Sequence, residues 1–339
     1  MTKLTRIKLK DMTPLHLGLG RDSYDVSASM LQSDTLSAAL ASIRAMYGKG
    51  DTTEQFLSAF AMSSAFPYDG DEYFLPRMKG RLAITVNEEE EKDYRKKLKK
   101  LIYISFPLWQ QLAQGETIAV DDSQLQGTFL LSTGNENYKA PMTHITMQRV
   151  SVARNGKDDA VPFMYDWTFF RHGSHSISPN GKDYETKETG LYCLLNADVE
   201  TTQEITELFY ELGEQGIGSD KSVGGGHFTI ETDTIELPDV KSDKQILLST
   251  YIPTEEELKF FSLAKSNYQL IHRGGFMAGS NNESLRHLRK KTVYMFDTGS
   301  VLVSNAKLEG KIVNVAPQWN TPGIHPVYRS GRCLSMHIL

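Results

Sequence analysis

Hydrophobic and polar positions change period several times along the chain, and each change marks an element. Residues 4–10 alternate, Leu4, Ile7 and Leu9 against Arg6, Lys8 and Lys10, and predict a first strand. A small glycine-containing loop follows at Pro14–Gly20. Ser33-Asp34 reads as the cap of a helix whose apolar face is Leu36, Ala39, Leu40, Ile43, Met46 and Tyr47, with Gly48 ending it. A shorter helix is expected from Asp51, burying Phe56, Leu57 and Phe60. Residues 61–76 read as two strands around an Asp69-Gly70 turn. Glu88–Glu91 followed by Lys92, Arg95, Lys96, Lys97, Lys99 and Lys100 put acid first and base last, as a helix macrodipole favours. Such a run is most often a solvated face. Phe106–Gln114 reads as another helix.

Helical periodicity is lost from residue 115 to 185. His144–Arg154 alternates as a strand and turns at Asn155-Gly156; strand character returns at Met164–Phe170, and Asn180-Gly181 is a further turn. This reads as a long β-ribbon inserted into a core. Gly190–Asn196 is a buried-strand run. Thr201-Thr-Gln-Glu204 then has the capping-box pattern, and Ile205, Leu208, Phe209 and Leu212 form one apolar helical face with Gly213 as the residue that ends it. After a glycine-rich loop, His227–Asp233 reads as a strand. Further strands are expected at Gln245–Tyr251, Tyr268–Arg273, Thr292–Phe296, Ser300–Val303 and Arg332–Ile338, with a short helix at Glu255–Phe261. The predicted class is α+β. Two β-α-β-β-α-β, ferredoxin-like (RRM-like) domains with inserted hairpins are expected, over residues 1–187 and 188–339.

Composition narrows the function classes. The 339 residues are 40% hydrophobic and 23% charged, with a net charge of −5, so no global basic field advertises a polyanion and any such site must be local. Cys193 and Cys333 are too few for a disulfide framework or a four-thiolate zinc site and suit a reducing cytosol. The first residues lack the apolar core of a signal peptide, and no run approaches a membrane span. A cytoplasmic protein without metal or cofactor is expected.

The candidate chemistry centres on residues 213–228, where Gly216, Gly218, Gly224, Gly225 and Gly226 surround Lys221-Ser222. Such a loop can turn successive N–H groups toward an anion. A nucleotide-hydrolysing loop is disfavoured: Asp220 stands where a Walker A motif needs glycine, Lys221 where a dinucleotide fingerprint needs one, and the order is helix, loop, strand. Ribbon residues Arg149 and Arg154, with Tyr165, Phe169 and Arg171, suit stacking on single-stranded bases, although packing is the better account of Phe169. Lys265, Arg273, Arg286, Arg289, Lys290 and Lys291 form a local basic segment, and for Arg286–Lys291 a solvated face is a comparable account. His16 beside Gly18 can serve as a general base for RNA cleavage, yet a lone loop histidine is more often structural. His172 and His175 have metal-like spacing without a Cys or carboxylate partner, and Asp22 with Asp25 is a common loop pairing.

Several stretches resemble one family: His16-Leu-Gly18 with Ser33-Asp-Thr-Leu-Ser-Ala-Ala-Leu40, Ser64-Ala-Phe-Pro-Tyr68 with Phe74-Leu-Pro76, Gln148–Arg154, Gly216–Phe228 and His325-Pro-Val-Tyr-Arg-Ser-Gly331. In this order they resemble subunit four of the type III-A CRISPR Csm complex, a RAMP-superfamily protein, over nearly the whole chain. Arg77-Met78 departs from the pattern, which would have a second proline there. The resemblance implies two RRM-like domains, no catalysis, capture of the 5′ repeat-derived tag of crRNA, and docking to a large palm-domain (Cas-ten) subunit and to backbone RAMP subunits. It carries RNA binding onto Gly216, Gly218, Lys221, Ser222 and Gly224–Gly226, and less tightly onto Arg149 and Arg154; His16 and Arg273 complete the candidate set. A RAMP endoribonuclease that processes precursor crRNA, with His16 or His172 as base, is the alternative. A nucleotide-binding enzyme is the third reading.

Overall fold

The first strand is the axis of the main sheet. The computed structural model describes residues 2–18, 24–86, 91–152, 159–177, 183–238, 240–277, 282–317 and 323–339; Arg154, Gly20, Asp22 and the Asn155-Gly156 and Asn180-Gly181 turns lie outside them. In chain order the framework is β1 (Thr2–Lys10), α1 (Ser33–Arg44), β2 (Phe66–Asp69), β3 (Glu72–Pro76), β4 (Met142–Ser151), β5 (Val161–Phe170), β6 (Thr189–Asn196), α2 (Val199–Gln215) and β7 (Thr229–Leu237). The sheet runs β7-β1-β6-β2-β3 and continues through short strands at Tyr103–Ser105, Phe129–Leu130 and Leu125–Gln126. β1 is antiparallel to both neighbours, with Ile7 opposite Cys193 and Leu9 opposite Leu191 and Ile230.

These pairings run across residue 187. Both partners of β1 come from beyond it, and β6 also pairs with β2 through Tyr192 and Phe66. The chain from 70 to 188 runs between two adjacent strands, β2 and β6.

One face of the sheet is closed by α1 and α2. Ile7, Leu9, Leu191 and Cys193 meet Leu36, Leu40 and Ile43 of α1 and Ile205, Leu208, Phe209 and Leu212 of α2, all buried. The helical spacing of those apolar positions is what makes both helices lie flat on the sheet. Leu4 points the other way, into a second core with Phe66, Tyr68, Phe74, Trp109 and Tyr192. Buried polar ends are satisfied there: Tyr192 Oη donates to Phe74 O at 2.7 Å and Trp109 Nε1 to Pro76 O at 3.0 Å. Tyr68 and Tyr192 are fully buried, so this face is not an open aromatic platform.

Helix ends differ from the sequence expectation. α1 has Gln32 at its N-cap, without a side-chain bond, and Asp34 is turned inward and buried. α2 is capped by Asp198, whose carboxylate accepts from Thr201 N at 2.7 Å, and it runs past Gly213 to Gln215. Gly213 is a packing residue: a side chain there would start 2.2 Å from Phe228 O.

The remainder holds β8 (Lys244–Leu247), β9 (Leu270–Arg273), β10 (Val293–Phe296), β11 (Val301–Val303) and β12 (Ser335–Ile338). Their order is β11-β8-β12, with β9 paired to β10. The helix after β8 is a single turn, Glu255–Leu258. No helix lies between β11 and β12 among the described residues; a hairpin of Ile312–Asn314 and Tyr328–Ser330 occupies that stretch. The β-α-β-β-α-β order expected here is not complete among the described residues. Buried hydroxyls join it to the main sheet: Ser33 Oγ lies 2.9 Å from Thr250 Oγ1, and Ser64 Oγ 2.8 Å from Thr298 Oγ1. Both thiols are buried, which pushes Cys193 and Cys333 up to about 12 and leaves them protonated. Among the described residues no helix is long and apolar enough to cross a membrane.

Candidate nucleic-acid interface

The glycine loop closes back on itself and on the segment after β1. Ile217 N donates to Gly226 O at 2.9 Å, Gly226 N to Pro14 O at 2.9 Å and Ser219 N to His16 O at 2.9 Å. Gly224 N and Gly225 N are taken by Lys221 O and Asp220 O, both at 3.1 Å, and His227 N by Thr13 Oγ1 at 2.8 Å. Most of the loop's N–H groups are thus spent internally, which corrects the picture of a cradle of free amides. Among the described residues only Gly218, Asp220, Lys221 and Ser222 have N–H groups without a protein acceptor in this stretch. Gly216, Gly225 and Gly226 are buried and build the loop, whereas Gly218, Lys221, Ser222 and Gly224 are exposed. The Lys221 ammonium has no acidic partner among the described residues.

The ribbon of β4 and β5 supplies the loop's other wall. Arg149 opposes Phe163, Met147 opposes Tyr165 and Ile145 opposes Trp167, so these six share a face. Arg149 Nη1 pairs with the Asp220 carboxylate, and its guanidinium lies 4.9 Å above the Tyr165 ring. Asp220 itself has φ +59°, a left-handed conformation that aspartate tolerates better than most residues. The Trp167 ring lies against Gly225, 3.0 Å from where a Cβ would sit. Tyr165 is the hub: its ring centroid is 4.4 Å from His16, 4.8 Å from Trp167 and 6.1 Å from a nearly parallel Tyr24. Burial, then the Asp220 carboxylate, push the Tyr165 phenol up to about 12. Tyr24, Ile145, Met147, Val150, Val161 and Met164 stay exposed, an unusual apolar surface for a two-stranded ribbon.

Two candidate residues are reassigned. His16 is 1% exposed, and its Nδ1 faces Asp166 O at 2.7 Å; it supports the loop from beneath and offers no surface imidazole. Arg273 makes a two-pronged pair with Asp34, Nε to Oδ2 at 3.0 Å and Nη2 to Oδ1 at 2.9 Å, and so ties β9 to α1. Within the basic segment Arg289 lies 5.3 Å above the Phe276 ring and Arg286 faces Glu283 at 3.3 Å. His172 lies 3.9 Å from Asp11. Asp220, Tyr24 and Trp167 were not singled out from the sequence. Only the Asp inside a glycine run signals the first, and nothing local signals the other two.

Residues 240–338 match the family described as CRISPR Csm4 C-terminal domain. The CRISPR system Cms protein Csm4 of Mycobacterium tuberculosis (strain ATCC 25618 / H37Rv) is 26% identical over 284 residues, 82% of this chain and 79% of its own length. The chain is thus similar to Csm4 proteins. A Csm4 protein of Streptococcus thermophilus is 24% identical over 324 residues, covering 91% of this chain and 92% of that protein. In fold the chain resembles one in a crystal structure of a Csm1–Csm4 cassette in complex with cA4, with TM-score 0.61, 18% identity and coverage of 100% and 98%. It likewise resembles a chain in a Csm3–Csm4 subcomplex of the type III-A CRISPR-Cas interference complex, with TM-score 0.58, 14% identity and 99% coverage of both. Two of the stretches that carry the resemblance meet in space: Asp34 of the Ser-Asp-Thr-Leu stretch pairs with Arg329 of the His-Pro-Val-Tyr-Arg stretch.

Proposed function

We propose that the chain is a non-catalytic, crRNA-binding subunit of a type III-A interference complex in antiviral defence. It holds the 5′ repeat-derived tag and bridges a large palm-domain (Cas-ten) subunit to backbone RAMP subunits. The observation that carries this reading is the wall formed by Arg149, Tyr165 and the glycine loop, with exposed Lys221 at its rim. A cation beside aromatic and apolar side chains on a protruding ribbon suits a single strand whose bases stack and whose phosphates are neutralised. Relatives solved as Csm1–Csm4 and Csm3–Csm4 assemblies support the two partner classes. In this reading residues 2–237 form one ferredoxin-like, RRM-like unit, supported by the order β7-β1-β6-β2, and residues 240–338 a reduced second one. His16, buried under the loop, gives no support to the endoribonuclease alternative.

The RNA contact is tested by substitution. Lys221→Ala is expected to weaken binding of a tag RNA and to flatten the slope of log affinity against log salt by about 0.7, with the unfolding midpoint unchanged. Arg149→Ala is expected to weaken binding too and to cost at most about 1 kcal/mol, since its pair with Asp220 is partly exposed. Fluorescence anisotropy at several salt concentrations measures both. Wild-type affinity and slope in both variants would remove this wall from the RNA path.

A further inference from the structure

Away from the ribbon, two arginines share one carboxylate with a lysine close by. Asp34 has no exposed side-chain surface and accepts from both Arg273 and Arg329. Arg273 Nη2 also donates to Thr35 Oγ1 at 2.8 Å, and Arg329 Nη2 to Gly274 O at 2.9 Å. Lys290 N donates to Gly275 O at 2.9 Å, and a Cβ on Gly275 would sit 3.9 Å from Lys290 Nζ, which brings the ammonium to the same corner. The charges acting on Lys290 are those of Arg329, Asp34 and Arg273. Burial, then the Arg329 guanidinium, lowers Lys290 to about 8, as expected of a cation lacking its counter-ion.

The donor inventory is also incomplete. Arg329 is 6% exposed, and its Nε has no hydrogen-bond partner. Arg273 Nη1 and Lys290 Nζ have no acceptor among the described residues. A buried guanidinium N–H without an acceptor is costly, and so is an uncompensated excess of buried positive charge.

We propose that the corner formed by Arg273, Lys290 and Arg329 beside Asp34 is a phosphate-binding site, distinct from the glycine loop. A phosphate group supplies both the missing acceptors and the missing negative charge. Asp34 orients the two arginines, and Lys290 is the anion's own contact. The phosphate can be a phosphodiester of bound RNA or a free phosphate or mononucleotide; the chemistry is the same.

The test compares thermal unfolding of the full chain in sodium phosphate and in sodium chloride at matched ionic strength. Wild type is expected to gain several degrees in phosphate, and Lys290→Met to lose most of that gain. Part of any rise comes from phosphate exclusion at the surface, which is equal in both chains and cancels. Lys290→Met removes a cation from a crowded corner, so its midpoint in chloride should not fall; Lys290→Arg, which restores the charge, should restore the response. An equal phosphate rise in wild type and Lys290→Met overturns the site, as does a wild type indifferent to phosphate. Anisotropy with a labelled eight-nucleotide oligo(U) separates the sources. A roughly fivefold affinity loss in Lys290→Met with a salt slope flatter by about 0.7 assigns a phosphodiester. Unchanged oligonucleotide affinity with a lost phosphate response assigns free phosphate.

Discussion

Asp34→Ala is expected to destabilise the chain by about 3–5 kcal/mol, because it strands buried guanidinium groups without their shared carboxylate. Asp34 sits in the first turn of α1, and its partners arrive from 239 and 295 residues downstream. Arg329 has 8% of its side chain exposed and Arg273 24%, so most of the penalty falls on Arg329. The same link also fastens β9 and the Tyr328–Ser330 strand to α1, so its loss should free the part of the chain after residue 240 before the main sheet unfolds. Urea unfolding followed by Trp fluorescence and by amide exchange measures both effects. Replacing the whole cluster by apolar residues, Asp34→Leu with Arg273→Met, Lys290→Met and Arg329→Met, should recover much of the loss, since no buried charge is then left alone. A loss under about 1 kcal/mol for Asp34→Ala would mean that water already reaches these arginines.

The second large effect lies in the glycine loop, and it is graded. Gly226 has φ +69°, and a Cβ there would meet Ile217 O at 1.9 Å, the residue whose N–H closes the loop onto Gly226 O. Gly226→Ala combines left-handed strain with a backbone collision, and a cost of about 3–4 kcal/mol is expected. Gly224 has φ +91° but nothing within 4 Å, so Gly224→Ala should cost only about 1 kcal/mol. RNA affinity should follow the same order, because the loop's shape positions Lys221 and Asp220. Equal unfolding midpoints for the two variants would show that the internal hydrogen bonds do not define the loop.

Local periodicity made the elements legible, and long-range pairing stayed hidden. β1, both long helices and the ribbon follow from spacing alone, since each has a face to bury. The loop's class was also readable, because its spelling and its helix-loop-strand order exclude hydrolase phosphate loops. The neighbours of β1 were not readable: it pairs with strands about 190 and 230 residues along, and a sequence pattern carries no register between them. Arg273 stands out in the sequence because basic residues cluster around it; only the fold shows that Asp34 orients it. His16 is the converse case, a polar residue in a glycine-bearing loop whose burial comes from Tyr165 and Asp166 on a distant strand.

The central claim is that this chain organises RNA between two other subunits, and co-purification tests it most directly. Expressed with a large palm-domain subunit, a backbone RAMP subunit and a repeat-containing precursor, tagged wild-type chain is predicted to bring down both proteins and RNA of one uniform 5′ end. Sequencing the 5′ ends reads the result. A clean monomer carrying neither subunit nor RNA would contradict the account.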